Sequence, residues 1–233
     1  MSANNLPQLD VLFEDNHLLV VNKPPLLPTM GVGPDEDSLF RRASVYLKQK
    51  YNKPGNAYVG VVSRLDSFTS GLIVLAKTSK AASRLSDQMR RQVVQKHYLA
   101  IIPSGLSPSF GNLEDRVVKN DARKRMVVIP PKDPLVAGEK QASLRYRTLA
   151  TSGSLQLLEV ELQTGRKHQI RVQLENAGFP ILGDRKYGSQ DPFKRGIALH
   201  CFRLSFEHPT LKDVQSFQSD PPEWWPMERF QNT

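Results

Sequence analysis

At 233 residues, with 39% hydrophobic and 24% charged side chains, the chain can bury one large core or two small ones and is too apolar to stay disordered. Lys and Arg number 32 against 23 Asp and Glu; the resulting +9 favours polyanionic partners through Coulomb attraction and counterion release, or simply keeps the chain in solution. A single cysteine, Cys201, excludes an internal disulfide framework and a cysteine-rich zinc site, and no apolar stretch approaches a membrane span.

Met1-Ser2-Ala3-Asn4-Asn5-Leu6-Pro7 lacks the charged start and apolar centre of a secretory signal, so a reducing, cytoplasmic setting is expected. Residues 1–10 are expected to be a tail, and residues 11–233 a single domain. Val11–Phe13 and Leu18–Val21 read as paired strands about the polar turn Glu14-Asp15-Asn16. Lys23-Pro24-Pro25 then stops the second strand, because proline cannot donate to a ladder. Asp37 or Ser38 is placed to cap a helix with Leu39, Ala43, Tyr46 and Leu47 on one face. Ala57–Val62 and Leu72–Ala76 read as strands. Ser79 is the expected cap of a second helix, whose stripe is Ala82, Leu85, Met89 and Val93. A strand follows over His97–Ile102.

Residues 103–141 read as the least regular stretch, a basic excursion carrying Arg116, Lys119, Arg123, Lys124, Arg125, Lys132 and Lys140 among Gly and Pro. Such a segment is either a solvated hairpin or an RNA-gripping loop. Leu144–Leu149 and Leu155–Leu162 form a further hairpin. A helix is expected over Lys167–Ala177, ended by Gly178 in a left-handed turn. Strands at Ile197–Phe206 and Val214–Gln218 come last, with Trp224 and Trp225 in a terminal strap. Hairpins and helices without steady β-α-β alternation indicate an α+β fold.

Several chemistries are excluded by motif. The five histidines form no His-Glu-x-x-His pair, no glycine-rich loop ends in Gly-Lys-Ser/Thr, and Phe68-Thr69-Ser70-Gly71 lacks the first glycine of a nucleophile elbow. No metal and no cofactor is expected. What remains is Asp66, a carboxylate in a polar break between two apolar runs, with Arg64 two residues before it and Thr69-Ser70-Gly71 after it. Loops held between strands commonly carry chemistry; an Asp there also serves as an ordinary turn residue.

Ser63-Arg64-Leu65-Asp66 resembles the Arg-Leu-Asp signature of the RluA-like pseudouridine synthases, which isomerise uridine in RNA. Four further blocks, in the family's order, strengthen the resemblance. Phe13–Pro24 is similar to its opening hairpin, and Lys96-His97-Tyr98-Leu99-Ala100 to its tyrosine motif. Thr164–Val172 with Gly183–Gly188 resembles its second arginine motif, and Leu199–Pro209 its last core strand. The resemblance implies a central, largely antiparallel sheet split by an RNA-binding cleft and flanked by helices and loops. It implies that Asp66 is the catalytic carboxylate and that Arg171 is its ion-pair partner. Tyr98 would stack on the flipped uracil and relay a proton from C5; Arg64 would help extract the base, and Leu199 would line the uracil pocket. Arg123, Lys124 and Arg125 are expected RNA contacts, the partner is structured RNA (tRNA or rRNA), and the protein is expected to be a monomer. Many relatives carry a small RNA-binding domain before the catalytic one; with the first strand at Val11, none is expected here.

The chemistry suits these residues. Pseudouridine formation moves C1′ from N1 to C5 of the same uracil, without redox change or second substrate. A carboxylate stabilises or captures an electron-poor C1′, as in glycoside cleavage. The departures are Ser63 where relatives usually have His, Ser67 where a charge is common, and Gln173 where a His is common. Two rivals remain at this level: a non-catalytic RNA-binding protein that keeps the fold, and a synthase-like enzyme acting on free nucleosides.

Overall fold

A computed structural model describes residues 8–31, 33 and 36–231, so residues 1–7 of the expected tail lie outside the described residues. The chain forms two compact units. One runs up to Gln95 and includes Cys201–Asp220; the other is Lys96–His200 with the segment from Pro221 onward.

In the first unit, β1 (Val11–Glu14) and β2 (Leu18–Lys23) form the expected hairpin, and β2 ends at Lys23, immediately before the two prolines. Ser38 caps α1 (Leu39–Lys50), its hydroxyl accepting from Arg41 N, and Leu39, Ala43 and Leu47 are buried. The expected strand at Ala57–Val62 shrinks to β3 (Gly60–Val61), a two-residue rung on the end of β4 (Ser70–Ala76). It is pressed against the next helix, where a Cβ on Gly60 would lie 2.8 Å from that of Ala82. β4 is buried at every position, as its unbroken apolar run requires. α2 (Ser79–Arg90) is capped by Thr78 and not by Ser79; of the expected stripe Leu85 is buried, Ala82 and Met89 are half-buried and Val93 is exposed, while Ala81 and the polar Gln88 are buried as well. The polar Gln88 is satisfied there: it donates to the Glu207 carbonyl at 2.8 Å and accepts from the Glu207 N–H at 3.1 Å. Val93 lies beyond the end of the helix and is exposed. The strand order is β1-β2-β4-β10, with β10 at Leu199–Glu207 and β11 (Val214–Gln218) beside it.

The second unit is an antiparallel sheet in the order β5 (Gln95–Pro103), β9 (Leu155–Leu162), β8 (Lys140–Ser152), β6 (Phe110–Asn120), β7 (Arg125–Ile129). The basic excursion is therefore more regular than expected. β6 has eleven residues laddered to β8 on one side and β7 on the other, and Val117 and Met126 anchor it in a core with Ala142, Val172 and Tyr187. α3 spans Gln169–Asn176, two residues later than expected, because His168 sits in the left-handed region at φ 53°. It ends as expected at Gly178, φ 89°, with Phe179 N bonding Leu174 O. Trp225 is buried in the terminal strap, edge-on to Phe193 and His200. The α+β class and the largely antiparallel strands are those expected.

Candidate active site

In the first unit Asp66 sits on the loop between β3 and β4, half-buried, with Arg64 and Phe68 exposed on either side. The loop is held through its backbone. Thr29, itself buried, donates from its hydroxyl to Leu65 O at 2.8 Å and accepts from Leu65 N at 3.2 Å. Lys23, at the end of β2, is fully buried and donates to Pro24 O and Leu27 O at 2.8 Å each and to Ser67 O at 3.3 Å. Asp66 O accepts from Thr69 N at 3.1 Å, closing the turn. Burial pushes the Lys23 ammonium down to about 7, against the attraction of Asp66 and with the repulsion of Arg42. Past the loop, Gly71 has φ 110°, and a Cβ there would lie 2.3 Å from Cys201 O. No other residue fits where β4 passes so close to β10.

In the second unit Tyr98 lies in β5 opposite Val160 and is buried. Arg171 is buried in α3 and forms a side-on ion pair with Asp184, Nε to Oδ2 at 2.7 Å and Nη2 to Oδ1 at 2.9 Å. Its guanidinium also lies 4.8 Å from the centroid of the Tyr187 ring. Tyr187 Oη accepts from Met126 N at 3.1 Å and contacts His168 Nδ1 at 2.8 Å, so one buried phenol ties α3 to β7. Leu199 is buried at the start of β10.

Arg123, Lys124 and Arg125, the expected RNA contacts of the excursion, separate. Arg123 and Lys124 are exposed at the β6–β7 turn, with Lys124 at φ 49°. Arg125 is engaged: Nη2 reaches Glu175 Oε1 at 2.9 Å, Nη1 donates to Lys186 O at 2.9 Å, and its guanidinium lies 5.1 Å from the Tyr187 centroid.

The family model for RNA pseudouridylate synthase matches residues 17–176, a span holding both the Asp66 loop and the Tyr98 strand. The chain belongs to that family. It is thereby placed among RNA-modifying isomerases, and RNA is its class of substrate. The RNA pseudouridine synthase YhcT of Bacillus subtilis (strain 168) is 33% identical over 210 residues, 89% of this chain and 67% of that protein. Ribosomal large subunit pseudouridine synthase D of Nitrosomonas europaea is 33% identical over 225 residues, 92% of this chain and 62% of that protein. The chain thus spans about two thirds of the length of these relatives. Among solved structures, human RNA pseudouridylate synthase domain containing 4 superposes with a TM-score of 0.79 at 23% identity, covering 94% of this chain and 92% of that one, a likeness of fold.

Sequence reasoning missed three residues of this pseudouridine synthase. Lys23 reads only as the residue before a strand stop, Thr29 lies in an irregular segment with no motif, and Asp184 stands in the second arginine motif with no partner evident. Each signal was available only as an unusual side chain in an apolar or glycine-rich context; the partners lie 44, 36 and 13 residues away.

Proposed function

We propose that the chain isomerises specific uridines in structured RNA to pseudouridine, with Asp66 as the catalytic carboxylate. The observation that supports this most is the Asp66 loop itself. A half-buried carboxylate is presented between two residues whose backbones are fixed by buried side chains. A group that must meet C1′ of a flipped nucleotide needs such preorganisation, because misplacement by about 1 Å costs roughly a hundredfold in rate.

The remaining roles follow from the family's chemistry. Arg64, exposed beside Asp66, enters the gap left by the extracted base; a guanidinium both stacks and contacts phosphate. Tyr98 offers a ring to the uracil and a hydroxyl for the C5 proton, and Leu199 supplies an apolar wall. Arg171, oriented by Asp184, provides the cation that keeps Asp66 ionised once water is excluded. Asp66 then stabilises or captures C1′ as the bond to N1 breaks, the base turns to present C5, and the C5 proton leaves after the new bond forms. Arg123 and Lys124 at the β6–β7 turn supply phosphate contacts. A monomer acting in the cytoplasm meets these needs. The Nitrosomonas relative is named for the large ribosomal subunit, so that RNA is the first substrate to try, with tRNA the second.

The test is tritium release from RNA carrying 5-tritiated uridine, since C5 must lose its hydrogen. Wild type should release tritium, and Asp66→Asn, nearly isosteric but neutral, should bind RNA and lose about a thousandfold or more in rate. Substantial release by Asp66→Asn would remove the assignment.

A further inference from the structure

We infer that Lys23 and Thr29 are positioning residues for Asp66, a clamp that fixes the peptide groups on both sides of it and sets a buried positive charge against the carboxylate. This rests on the reading of Asp66 as the catalytic carboxylate. Thr29 alone satisfies both backbone groups of Leu65, at 2.8 and 3.2 Å. Lys23 holds the carbonyl of Ser67. The two residues flanking Asp66 are therefore pinned to the end of β2 and to the segment that follows it, and the carboxylate has little backbone freedom left.

The choice of lysine is the informative part. An apolar side chain would fill the space under the loop with no desolvation penalty, whereas burying an ammonium is costly unless its hydrogens and its charge are both used. Here both are. Its three N–H groups meet three carbonyls, which a neutral amine with two N–H groups could not serve. Among the described residues two charged side chains act on it: Asp66 attracts it, and Arg42 repels it from α1, where Arg42 is itself tied to Asp37 at 3.0 Å. The attraction between the two charges is mutual.

That reciprocity gives a test that needs no turnover. Lys23 Cε in the full chain is titrated by carbon-13 NMR, in wild type and in Asp66→Asn. The Lys23 midpoint should fall by about one pH unit in Asp66→Asn, since an attraction that raises it has been removed. An unchanged midpoint would overturn the electrostatic part. Turnover tests the clamp. Thr29→Val keeps shape but loses both bonds, and it should lower kcat about tenfold or more with KM for RNA unchanged, while Thr29→Ser regains most of the loss. Lys23→Met should lower kcat about a hundredfold with the same KM. Wild-type kcat in Thr29→Val and in any folded Lys23→Met would overturn the clamp. If Lys23→Met does not fold, Thr29→Val and the titration decide. Absence of pseudouridine with wild type itself would remove the Asp66 assignment, a failure distinct from either.

Discussion

Arg171 shows what a single side chain hides in a sequence. The resemblance gives it Asp66 as a partner and says nothing of Asp184, yet it is 3% exposed and bonded side-on to Asp184, itself 1% exposed. Breaking a buried pair strands its other half, so Asp184→Asn should cost about 3 kcal/mol, a fall of roughly 10 °C in melting temperature by calorimetry. Arg171→Met with Asp184→Leu should recover much of that stability while giving no pseudouridine, which would separate the structural use of Arg171 from its proposed chemical one. Tyr98→Phe keeps the ring and drops the hydroxyl; it should bind RNA as wild type does and fail to release tritium, and wild-type release would leave Tyr98 as a stacking surface only. Asp66 and Tyr98 were legible because each stands inside a local motif. Asp184, Lys23 and Thr29 were not, because a buried ion pair or a carbonyl cage is assembled from segments that only the folded topology brings together.

Elements were read well where one periodicity ruled, as in β4 and β9, and less well where a polar contact competed with it. α2 buries the polar Gln88 beside Leu85, and the length of β6 does not show in the sequence because its charged outward positions mask the inward Val117. The β1–β2 hairpin carries a further polar device. Glu14 accepts from Lys50 and Lys77 at 2.6 Å each, from Tyr51 at 2.6 Å and from Tyr46 at 2.8 Å, joining β1 to the end of α1 and to the residue after β4. Burial pushes its carboxyl up, but the four donors together outweigh it and hold it down to about 2, from an ordinary 4.5. The bond set therefore contributes fully above pH 4.5 and is lost as the pH falls from there toward 2. Glu14→Gln should lower the melting temperature at pH 7 and flatten its dependence on pH between about 5 and 2; an unchanged acid profile would show that the latch adds no net stability.

Over the whole molecule the +9 balance predicts RNA affinity that falls steeply with salt. Changing Arg123 and Lys124 together to Ala should reduce the log–log salt slope on single-stranded RNA by about 1.4 if each meets one phosphate. Arg125→Ala should instead lower the melting temperature, because Glu175 and the Lys186 carbonyl lose their partner. Equal salt effects from all three positions would contradict that division. One last consequence concerns the lysine under the Asp66 loop. At 0% exposure no reagent can touch its amine while the loop is closed. Its acylation must wait for the loop to lift, so Lys23 is a built-in clock. With an acetylating ester and peptide mass spectrometry, it should be among the slowest lysines to label in the native protein and lose that protection in urea. The native rate then reads out how often the loop opens.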